Sequence, residues 1–296
     1  MKSVTLIGHI TDDLLPNNHL GGSVSYAACV FKKHGYDTTI ITKAPPNHGY
    51  LQQLMKLKIK VINLENNVDS VITTFSNKFI NQDFRTQIVK YKAQSVTYLE
   101  LEPYKELILN RPVVLCPIIN EIDFTGSWQA GKNNHFFLIG QGLLRKTDND
   151  NNVVFNDEYD KSMFSKAKTT ILSYEDFMIK GQVQKSEIQK IVNKSNLLIM
   201  TNADMQTDIY IKGKFFKGIE TYNIGGLLRD QVGAGDVFSA AFIIQYLMEG
   251  NLIEAVKYGN LYAACKISRK SITIGLDNLP SPAEVYKFKE SLPFLP

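Results

Sequence analysis

Short runs of β-branched and apolar residues alternate with helical stretches along most of this chain. Apolar side chains at helical spacing follow Gly21 and Gly22 as far as about Lys33, and a further helix is predicted near residues 50–57. Strands that alternate with helices form parallel sheets whose two faces are both covered. The predicted strands are residues 4–10, 38–42, 61–64, 113–115, 136–139, 169–172 and 197–201. This pattern predicts an α/β fold of three layers, with helices on both faces of a central sheet.

Residues 69–92 interrupt the alternation. The segments 71–75 and 85–91 are rich in β-branched residues and have no helical stretch between them, so they are predicted to leave the main sheet as an antiparallel pair. Together with residues 14–20 they are predicted to form a small β lid. The sequence contains no internal repeat and no clear linker. Residues 1–296 are therefore predicted to form a single domain.

Composition and charge exclude several classes of protein. Hydrophobic residues make up 44% and charged residues 21% of the chain, as in ordinary globular proteins. The net charge is only +4 and no Lys/Arg block occurs, so no nucleic-acid partner is expected. Cys29, Cys116 and Cys265 are far apart in apolar runs, which favours buried reduced thiols. The first apolar run is too short for a signal peptide or a membrane span, so a cytoplasmic protein without a membrane partner is predicted.

The chemistry of the chain is concentrated in residues 230–242, which read Asp-Gln-Val-Gly-Ala-Gly-Asp-Val-Phe-Ser-Ala-Ala-Phe. From Asp236 to Met248 the segment is apolar almost all round, as in a buried helix. Gly233 and Gly235 allow a tight turn and close approach of a ligand, and the amides and dipole at the helix start favour an anion. A carboxylate beside that anion can accept a hydroxyl proton during phosphoryl transfer. The alternative is an ordinary turn with Asp236 as an N-cap.

The motifs and their order resemble one family. Asp-x-x-Gly-Ala-Gly-Asp is similar to the C-terminal signature of the PfkB/ribokinase family of carbohydrate kinases. Residues 8–13 and 21–28 resemble its first strand, substrate aspartate and Gly-Gly helix start, and residues 260–264 and 279–285 resemble its late helix and ending. The chain lacks a GxxxxGK[ST] loop and a third glycine after Gly233-x-Gly235, which argues against P-loop enzymes and dehydrogenases. The resemblance implies a ribokinase-like fold and an ATP-dependent kinase acting on a hydroxyl of a sugar or polyol.

The resemblance also implies a role for each matching residue. Asp236 would be the catalytic base, and the anion hole would be Gly233, Ala234 and Gly235. Asp13 would bind acceptor hydroxyls, because a carboxylate can accept hydrogen bonds from two vicinal hydroxyls. Spacing from Gly8 favours Asp13 over Asp12, although on sequence alone both could lie in a solvated turn. The other implied residues are Gly21, Gly22, Ser23, Tyr26 and Gln141 for the acceptor, Thr201, Asn260 and Gly275 for the nucleotide, and Asp176 and Asp230 for Mg²⁺. A homodimer that pairs through the lid edges is a further implication.

Two segments depart from the family pattern. Residues 173–176, Ser-Tyr-Glu-Asp, stand where the family has Asn-x-x-Glu, so Asp176 keeps a carboxylate that is shorter and would reach Mg²⁺ through water. Residues 201–206 keep the threonine of Thr-x-Gly-x-x-Gly but carry Ala203 and Gln206 in place of both glycines. We therefore expect weak ATP binding, with a KM towards ~1 mM. The alternative function is a binding or regulatory protein built on the kinase scaffold.

The acceptor is predicted from residues 140–145, which follow a predicted strand at the end where open α/β sheets bind ligands. Gln141 can donate and accept hydrogen bonds, which suits a ring of hydroxyls. Arg145 could hold a phosphate as a planar fork, or be a surface charge after a turn. Together with residues 8–11 and 22–26, these residues resemble the inositol-kinase-like branch of the family, so a cyclic polyol or related sugar is expected. A nucleoside is the second choice, and its base could lie against the aromatic residues Phe124, Phe136 and Phe137.

Overall fold

The computed structural model describes residues 2–15, 17–79, 85–123, 136–179, 181–222, 224, 231–269, 276 and 279–292. Its strands are β1 Ser3–Ile7, β2 Thr11–Leu15, β3 Asn17–Gly21, β4 Asp37–Thr42, β5 Lys60–Asn63, β6 Thr73–Phe79, β7 Arg85–Tyr91, β8 Val113–Leu115, β9 Phe136–Ile139, β10 Arg145–Thr147, β11 Val153–Phe155, β12 Thr169–Ser173, β13 Met178–Ile179, β14 Gln182–Val183, β15 Leu197–Thr201, β16 Gln206–Ile211 and β17 Lys214–Glu220. Its α-helices are α1 Ser23–Lys33, α2 Gly49–Lys56, α3 Tyr98–Leu101, α4 Lys105–Leu109, α5 Ser162–Lys166, α6 Lys185–Lys194, α7 Ala234–Glu249, α8 Leu252–Ser268 and α9 Pro282–Ser291. Short 3₁₀ helices span Glu102–Tyr104, Gly140–Leu144 and Tyr174–Phe177.

The main sheet has nine strands in the order β17-β16-β15-β12-β9-β8-β1-β4-β5. Neighbours from β15 to β5 pair in parallel, and β16 and β17 continue the sheet as antiparallel strands. The strands predicted after α1 match β4, β5, β8, β9, β12 and β15 to within one residue at each end. The β-branched runs of the sequence thus form a mostly parallel sheet, as their alternation with helices predicts.

Successive side chains of the central strands enter separate hydrophobic cores. In β9, Phe137 packs into the core that contains α1, α7 and α8, whereas Phe136 packs into the core that contains α5 and α6. In β15, Ile199 and Leu198 divide between the cores in the same way. A strand directs alternate side chains to opposite faces, so both faces of the sheet are covered by helices. The predicted three-layer, ribokinase-like α/β arrangement is confirmed.

A second sheet of four strands stands apart from the main one, in the order β3-β2-β6-β7. It contains the segments predicted as a lid, but it differs from the prediction at two points. The strand predicted over residues 4–10 ends at Ile7. A separate strand, β2, then begins at Thr11 and contains Asp12 and Asp13, which the sequence had also allowed to lie in a solvated turn. The sheet is also mixed, because β2 pairs in parallel with β6 while β6 and β7 are antiparallel. Asp13 therefore lies on this small sheet.

The carboxyl ends of the parallel strands lie along one edge of the main sheet, the edge at which open α/β sheets bind ligands. The segments after β1, β9 and β12 carry several of the residues that the sequence predicts to be functional, among them Asp13, Gln141 and Asp176, and the segment after β15 follows directly on Thr201. These segments begin at Gly8, Gly140, Tyr174 and Asn202. The topology brings together residues that are more than a hundred positions apart in the chain.

Candidate active site

The turn that precedes α7 adopts a conformation that favours glycine. Gly233 is the N-cap of α7 and has a φ of 74°, in the left-handed region. A Cβ at Gly233 would lie 2.7 Å from the ring of Tyr26, so any larger residue would also clash. Among described residues, no atom lies within 4 Å of a Cβ placed on Gly235. The predicted anion hole, Gly233, Ala234 and Gly235, lies at the start of α7, where the helix dipole favours a negative group. The Ala234 amide, however, already donates to the Gln231 carbonyl at 3.1 Å.

Asp236 lies in the first turn of α7 and is only partly exposed. The Nε2 group of Gln141 donates to Asp236 Oδ1 at 3.3 Å. Burial raises the pKa of Asp236 to about 6. The hydroxyl of Ser23 and the charge of Arg145 lower this pKa, and negative charges on two other aspartates raise it. Such a carboxyl is ionised at neutral pH but holds a proton readily, as a general base requires.

The negative charge of Asp13 is one of those that raise the pKa of Asp236. Its Oδ1 accepts a hydrogen bond from Thr11 Oγ1 at 2.9 Å, and its Oδ2 lies 4.0 Å from His19 Nε2. A Cβ on Gly21 would lie 2.3 Å from Asp13 Oδ2, so the carboxylate is packed directly against that glycine. Glycine at position 21 is needed for this close approach.

Asp12 faces the other side of β2, since successive side chains of a strand point in opposite directions. Its Oδ1 accepts a hydrogen bond from the Tyr50 hydroxyl at 2.7 Å. Asp12 is therefore turned towards α2, and Asp13 lies on the opposite side of β2. The choice of Asp13 as the residue that binds the acceptor stays a prediction.

The start of α1 also lies at this site. Gly22 is the N-cap of α1 with a φ of 89°, and a Cβ there would lie 2.6 Å from the His9 carbonyl oxygen. Ser23 is fully buried next to Asp236. Tyr26 is only 2% exposed and packs against Gly233. Tyr26 therefore packs beneath the turn before α7. This burial does not favour the predicted contact between Tyr26 and an acceptor.

Gln141 is held in place by an unusually close contact between two loops. It lies in the 3₁₀ helix that follows β9, next to Gly142. A Cβ on Gly142 would lie 2.1 Å from the Pro117 carbonyl carbon, so the loops after β8 and β9 touch through their backbones. The amide of Asn120 also donates to the Gly142 carbonyl at 2.8 Å. These contacts fix the loop from which Gln141 reaches Asp236.

Arg145 joins the main body of the protein to the small sheet. Its Nη1 group donates to Gln87 Oε1 on β7 at 3.4 Å, and its Nη2 group lies 4.0 Å from Asp176 Oδ1. Its side chain is 19% exposed and its charge acts on Asp236. Of the two interpretations of Arg145, a charge within the site agrees with the structure and a solvated surface charge does not.

Asp176 has a structural role that the sequence comparison did not reveal. Its Oδ2 accepts a hydrogen bond from the Ser173 amide at 2.8 Å, and the Ser173 hydroxyl accepts one from the Glu175 amide, which together cap a 3₁₀ helix. Burial raises the pKa of Asp176 to about 6, against the opposing charge of Arg145. The other carboxylate oxygen lies 4.0 Å from Arg145 Nη2. Within the described residues, no group of three or more His, Cys, Asp or Glu side chains could hold a metal ion directly.

The predicted nucleotide side differs from the expectation. Thr201 ends β15, and the tight turn after it contains Ala203 at a φ of 45°. The Gln206 side chain folds back onto Asp208, to which it donates a hydrogen bond of 2.7 Å. Asn260 is 5% exposed; its Oδ1 accepts from Thr207 at 2.9 Å and its Nδ2 donates to the Glu220 carbonyl at 3.2 Å. Asn260 thus ties α8 to the sheet, and its contacts give no support to its predicted role in nucleotide binding.

Some predicted residues lie outside the described residues, namely Asp230, Gly275 and Phe124. The other aromatic residues suggested for a nucleoside base, Phe136 and Phe137, are buried in different cores on opposite faces of β9. They cannot form one side of a base-binding slot.

Sequence reasoning missed Glu121, a fully buried carboxylate that holds the loops of the site together. Its oxygens accept hydrogen bonds from the amides of His9, Ile118 and Ile119 at 2.8–3.1 Å. His9 is itself buried and its ring bonds Thr73 on β6, at the base of the small sheet. Burial lowers the pKa of His9, so the ring is neutral in this position. An isolated Glu in a polar loop gives no sequence signal for such a role.

Comparison with known proteins supports the class of protein that this geometry suggests. The family model for "pfkB family carbohydrate kinase" matches residues 179–279, about a third of the 296 residues. A pyrophosphate-dependent kinase in the ribokinase family, solved with a pyrophosphate analog and myo-inositol, is 18% identical, with a TM-score of 0.71 and coverage of 94% of this chain and 99% of that chain. No curated protein matched the sequence.

Other solved structures share the same fold. The nucleoside kinase of Methanocaldococcus jannaschii is 20% identical, with a TM-score of 0.69 and 98% coverage of each chain. The ribokinase of Thermotoga maritima is 18% identical, with a TM-score of 0.70 and coverage of 98% of this chain and 100% of that chain. The predicted likeness to PfkB/ribokinase carbohydrate kinases is therefore confirmed, by fold over nearly the whole chain and by the family model over residues 179–279. Kinases of this class are phosphotransferases with an alcohol acceptor. Among the described helices, each is too short or too polar to cross a membrane.

Proposed function

We propose that this protein transfers a phosphoryl group to a hydroxyl of a cyclic polyol or sugar, with Asp236 as the base. The observation that carries the proposal is the position of Asp236: its carboxyl has a pKa of about 6 and lies at the start of α7, in contact with Gln141. A proton acceptor and an anion site thus occupy one place, which is what phosphoryl transfer to an alcohol requires.

The proposed reaction uses residues from both sheets. The acceptor is held by Asp13 and Gln141, and its hydroxyl gives its proton to Asp236 as the oxygen attacks the terminal phosphorus. The bond from that phosphorus to the leaving phosphate breaks, and the amides of Gly233 and Gly235 stabilise the charge on the transferred group. Arg145 lies close enough to Asp236 to add positive charge on the same side.

Mg²⁺ would neutralise part of the phosphate charge. The residues present fit an ion bound mainly by donor phosphates and water, because Asp176 keeps one carboxylate oxygen towards the site. Asp176 would orient one of those waters.

The proposed acceptor class rests on the polar groups around Asp236. Asp13, Gln141 and Arg145 together offer acceptors and donors for several hydroxyls. The burial of Phe136 and Phe137 removes two of the aromatic residues that a nucleoside base would need. The similar structure bound to myo-inositol supports a cyclic polyol as the first acceptor to test.

ATP is the proposed donor, and pyrophosphate is a second candidate. Gln206 and Asn260 both use their polar groups within the protein, so they offer fewer contacts to a base or ribose than the sequence comparison implied. A donor that needs only phosphate contacts would lose nothing from these changes. The similar pyrophosphate-dependent kinase supports testing this donor beside ATP.

We also propose that the chain acts as one kinase domain in which the sheet β3-β2-β6-β7 is a lid over the acceptor. This sheet carries Asp13, and it contacts the main body through Gln87 and Arg145. Closure of such a lid would exclude water from the donor phosphate. Pairing of two lids through their edge strands is a further proposal, which light scattering on the purified protein would test.

The test is a direct phosphoryl-transfer assay with myo-inositol, free sugars and nucleosides as acceptors and with ATP and pyrophosphate as donors. Phosphorus NMR identifies the product, and kcat/KM ranks the pairs, since only differential binding of the transition state defines specificity. The expected result is turnover with a cyclic polyol that Asp236→Asn abolishes. Preference for a nucleoside would overturn the acceptor class, and donor or acceptor binding without turnover would favour a binding protein.

A further inference from the structure

Lys266 is a lysine with no solvent exposure, and it lies in the last turn of α8. Its ammonium donates a hydrogen bond to the carbonyl oxygen of Val232. Lysine is almost never fully buried unless its charge is balanced by partners, because removing an ammonium from water is costly. A position that retains such a group within the core needs a physical explanation.

The location of Lys266 follows from the packing of α7 on α8. These helices are joined by the short segment at Gly250 and run in opposite directions, so the end of α8 lies beside the start of α7. They pack closely, since a Cβ on Gly259 would lie 2.8 Å from ring atoms of Phe238. Lys266 is therefore placed next to the turn that begins α7.

The hydrogen bond acts on the first peptide unit of the anion hole. The Val232 carbonyl and the Gly233 amide belong to one peptide group, and the described residues contain no cis peptide bond. In a trans peptide the N–H points opposite to the C=O. With its carbonyl bound by Lys266, the unit directs the Gly233 N–H away from the lysine, and a charged donor on the carbonyl makes that N–H a stronger donor.

We propose that Lys266 is a positioning residue for the anion hole, whose positive charge orients and polarises the Val232–Gly233 peptide for a donor phosphate. This inference rests on the proposed function, because it assumes that phosphate binds at the start of α7. The positive charge of Lys266 would thus act on the site from α8, a helix that lies outside the motif at residues 230–242.

A purely structural role is the alternative. A cation in the last turn of a helix is favourable to the helix dipole, and Lys266 could serve α8 in this way alone. Lys43 provides a matched comparison, since it is also buried, 4% exposed, and is paired with Glu100 at 2.6 Å. Loss of Lys43 removes a buried ammonium without touching the turn before α7.

The test measures binding of inorganic pyrophosphate by calorimetry to the wild-type protein, Lys266→Met, Lys266→Gln and Lys43→Met. Methionine removes both charge and donor, whereas glutamine keeps an N–H donor for the Val232 carbonyl without a charge. We expect both Lys266 variants to bind pyrophosphate roughly 10- to 100-fold more weakly, as loss of a nearby fixed charge predicts. Lys43→Met is expected to lose thermal stability while it keeps wild-type pyrophosphate affinity.

Affinity within twofold of wild type in Lys266→Met would assign the lysine to α8 alone and overturn the proposal. Wild-type affinity in Lys266→Gln would show that the hydrogen bond suffices without the charge, which also overturns it. If Lys266→Met does not fold, the pyrophosphate affinity of Lys266→Gln is judged by the same twofold limit. Failure of both variants to fold would show a structural role and overturn the proposal. The measurement needs no turnover, so a wild-type protein that binds pyrophosphate but phosphorylates no acceptor would refute only the proposed function.

Discussion

Asp236→Asn is expected to make the protein more stable while it removes activity. Asparagine has nearly the same shape as a protonated aspartate but carries no charge to bury. Burial raises the pKa of Asp236 from an ordinary 3.8 to about 6, so the ionised carboxylate destabilises the folded protein at neutral pH. As the general base it must nevertheless be ionised for catalysis. We expect kcat to fall roughly 10²- to 10⁴-fold in the variant.

The size of the stability gain follows from the shifted pKa. Between pKa values of 3.8 and about 6, ionisation of Asp236 costs the fold roughly 3 kcal/mol at pH 7, and partial solvent access reduces this to ~1–3 kcal/mol. The folded state binds the proton more tightly than the unfolded chain, so this cost is complete above pH 6 and absent well below pH 4. The gain from Asp236→Asn should therefore fall to about half near pH 5.

Urea unfolding of both proteins at pH values from 5 to 8 measures this difference directly. The exposed Asp150, replaced by Asn in the same way, controls for a general effect of lower negative charge. The same pKa predicts that kcat/KM of the wild type falls as pH decreases through about 6. A stability gain over the wild type that is no larger at pH 8 than at pH 5, or a variant that keeps wild-type turnover, would refute the reasoning.

Substitutions at other positions are expected to separate the acceptor, electrostatic and donor parts of the site. Asp13→Ala should weaken myo-inositol binding roughly 10- to 100-fold with little change for ATP in calorimetry, because the carboxylate faces hydroxyls; equal losses would contradict this. Arg145→Gln should move the acid limb of the kcat/KM profile to higher pH, because Arg145 lowers the pKa of Asp236; an unmoved limb would place the guanidinium elsewhere. Ala203→Gly should stabilise the fold by roughly 0.5–1 kcal/mol, since it relieves a φ of 45°, and should lower the KM for ATP. Lys212→Gly relieves a φ of 47° away from the site and should change stability without changing that KM.

The seven parallel strands of the main sheet were predicted because each carries its own signal, whereas the antiparallel β16 and β17 were not predicted. The apolar run at β9 has buried side chains on both faces, and such runs indicate central parallel strands from sequence alone. The small sheet was less predictable. Its strand β3 reads Asn-Asn-His-Leu-Gly, residues that have low β-propensity, and it forms by pairing with β2. Tertiary pairing determines that strand, and a local pattern cannot show it.

The site shows the same division between local and distant information. Asp236 and its glycines form one continuous motif, so a role for them could be proposed from the sequence alone. Glu121 reaches the His9 amide across 112 positions, and its importance depends wholly on that fold-driven approach. Tyr26 was predicted to contact the acceptor, but its ring packs against Gly233, which is distant in sequence, and is buried there. Contacts of this kind appear only when the loops are placed in space.

The proposed acceptor and donor sides of the site differ in how their backbones are constrained, and this difference bears on the proposed donor. On the acceptor side, Gly21 and Gly22 leave room for contacts that any side chain would block. On the donor side, the turn after β15 keeps Ala203 in a left-handed conformation, and Gln206 fills space beside the sheet. A protein that must bind a base and ribose gains from glycine at such a turn, whereas one that binds only phosphates has no need of it. The strained alanine is therefore the observation that supports testing pyrophosphate against ATP, the proposed donor, and the ratio of kcat/KM for pyrophosphate to that for ATP measures the preference directly.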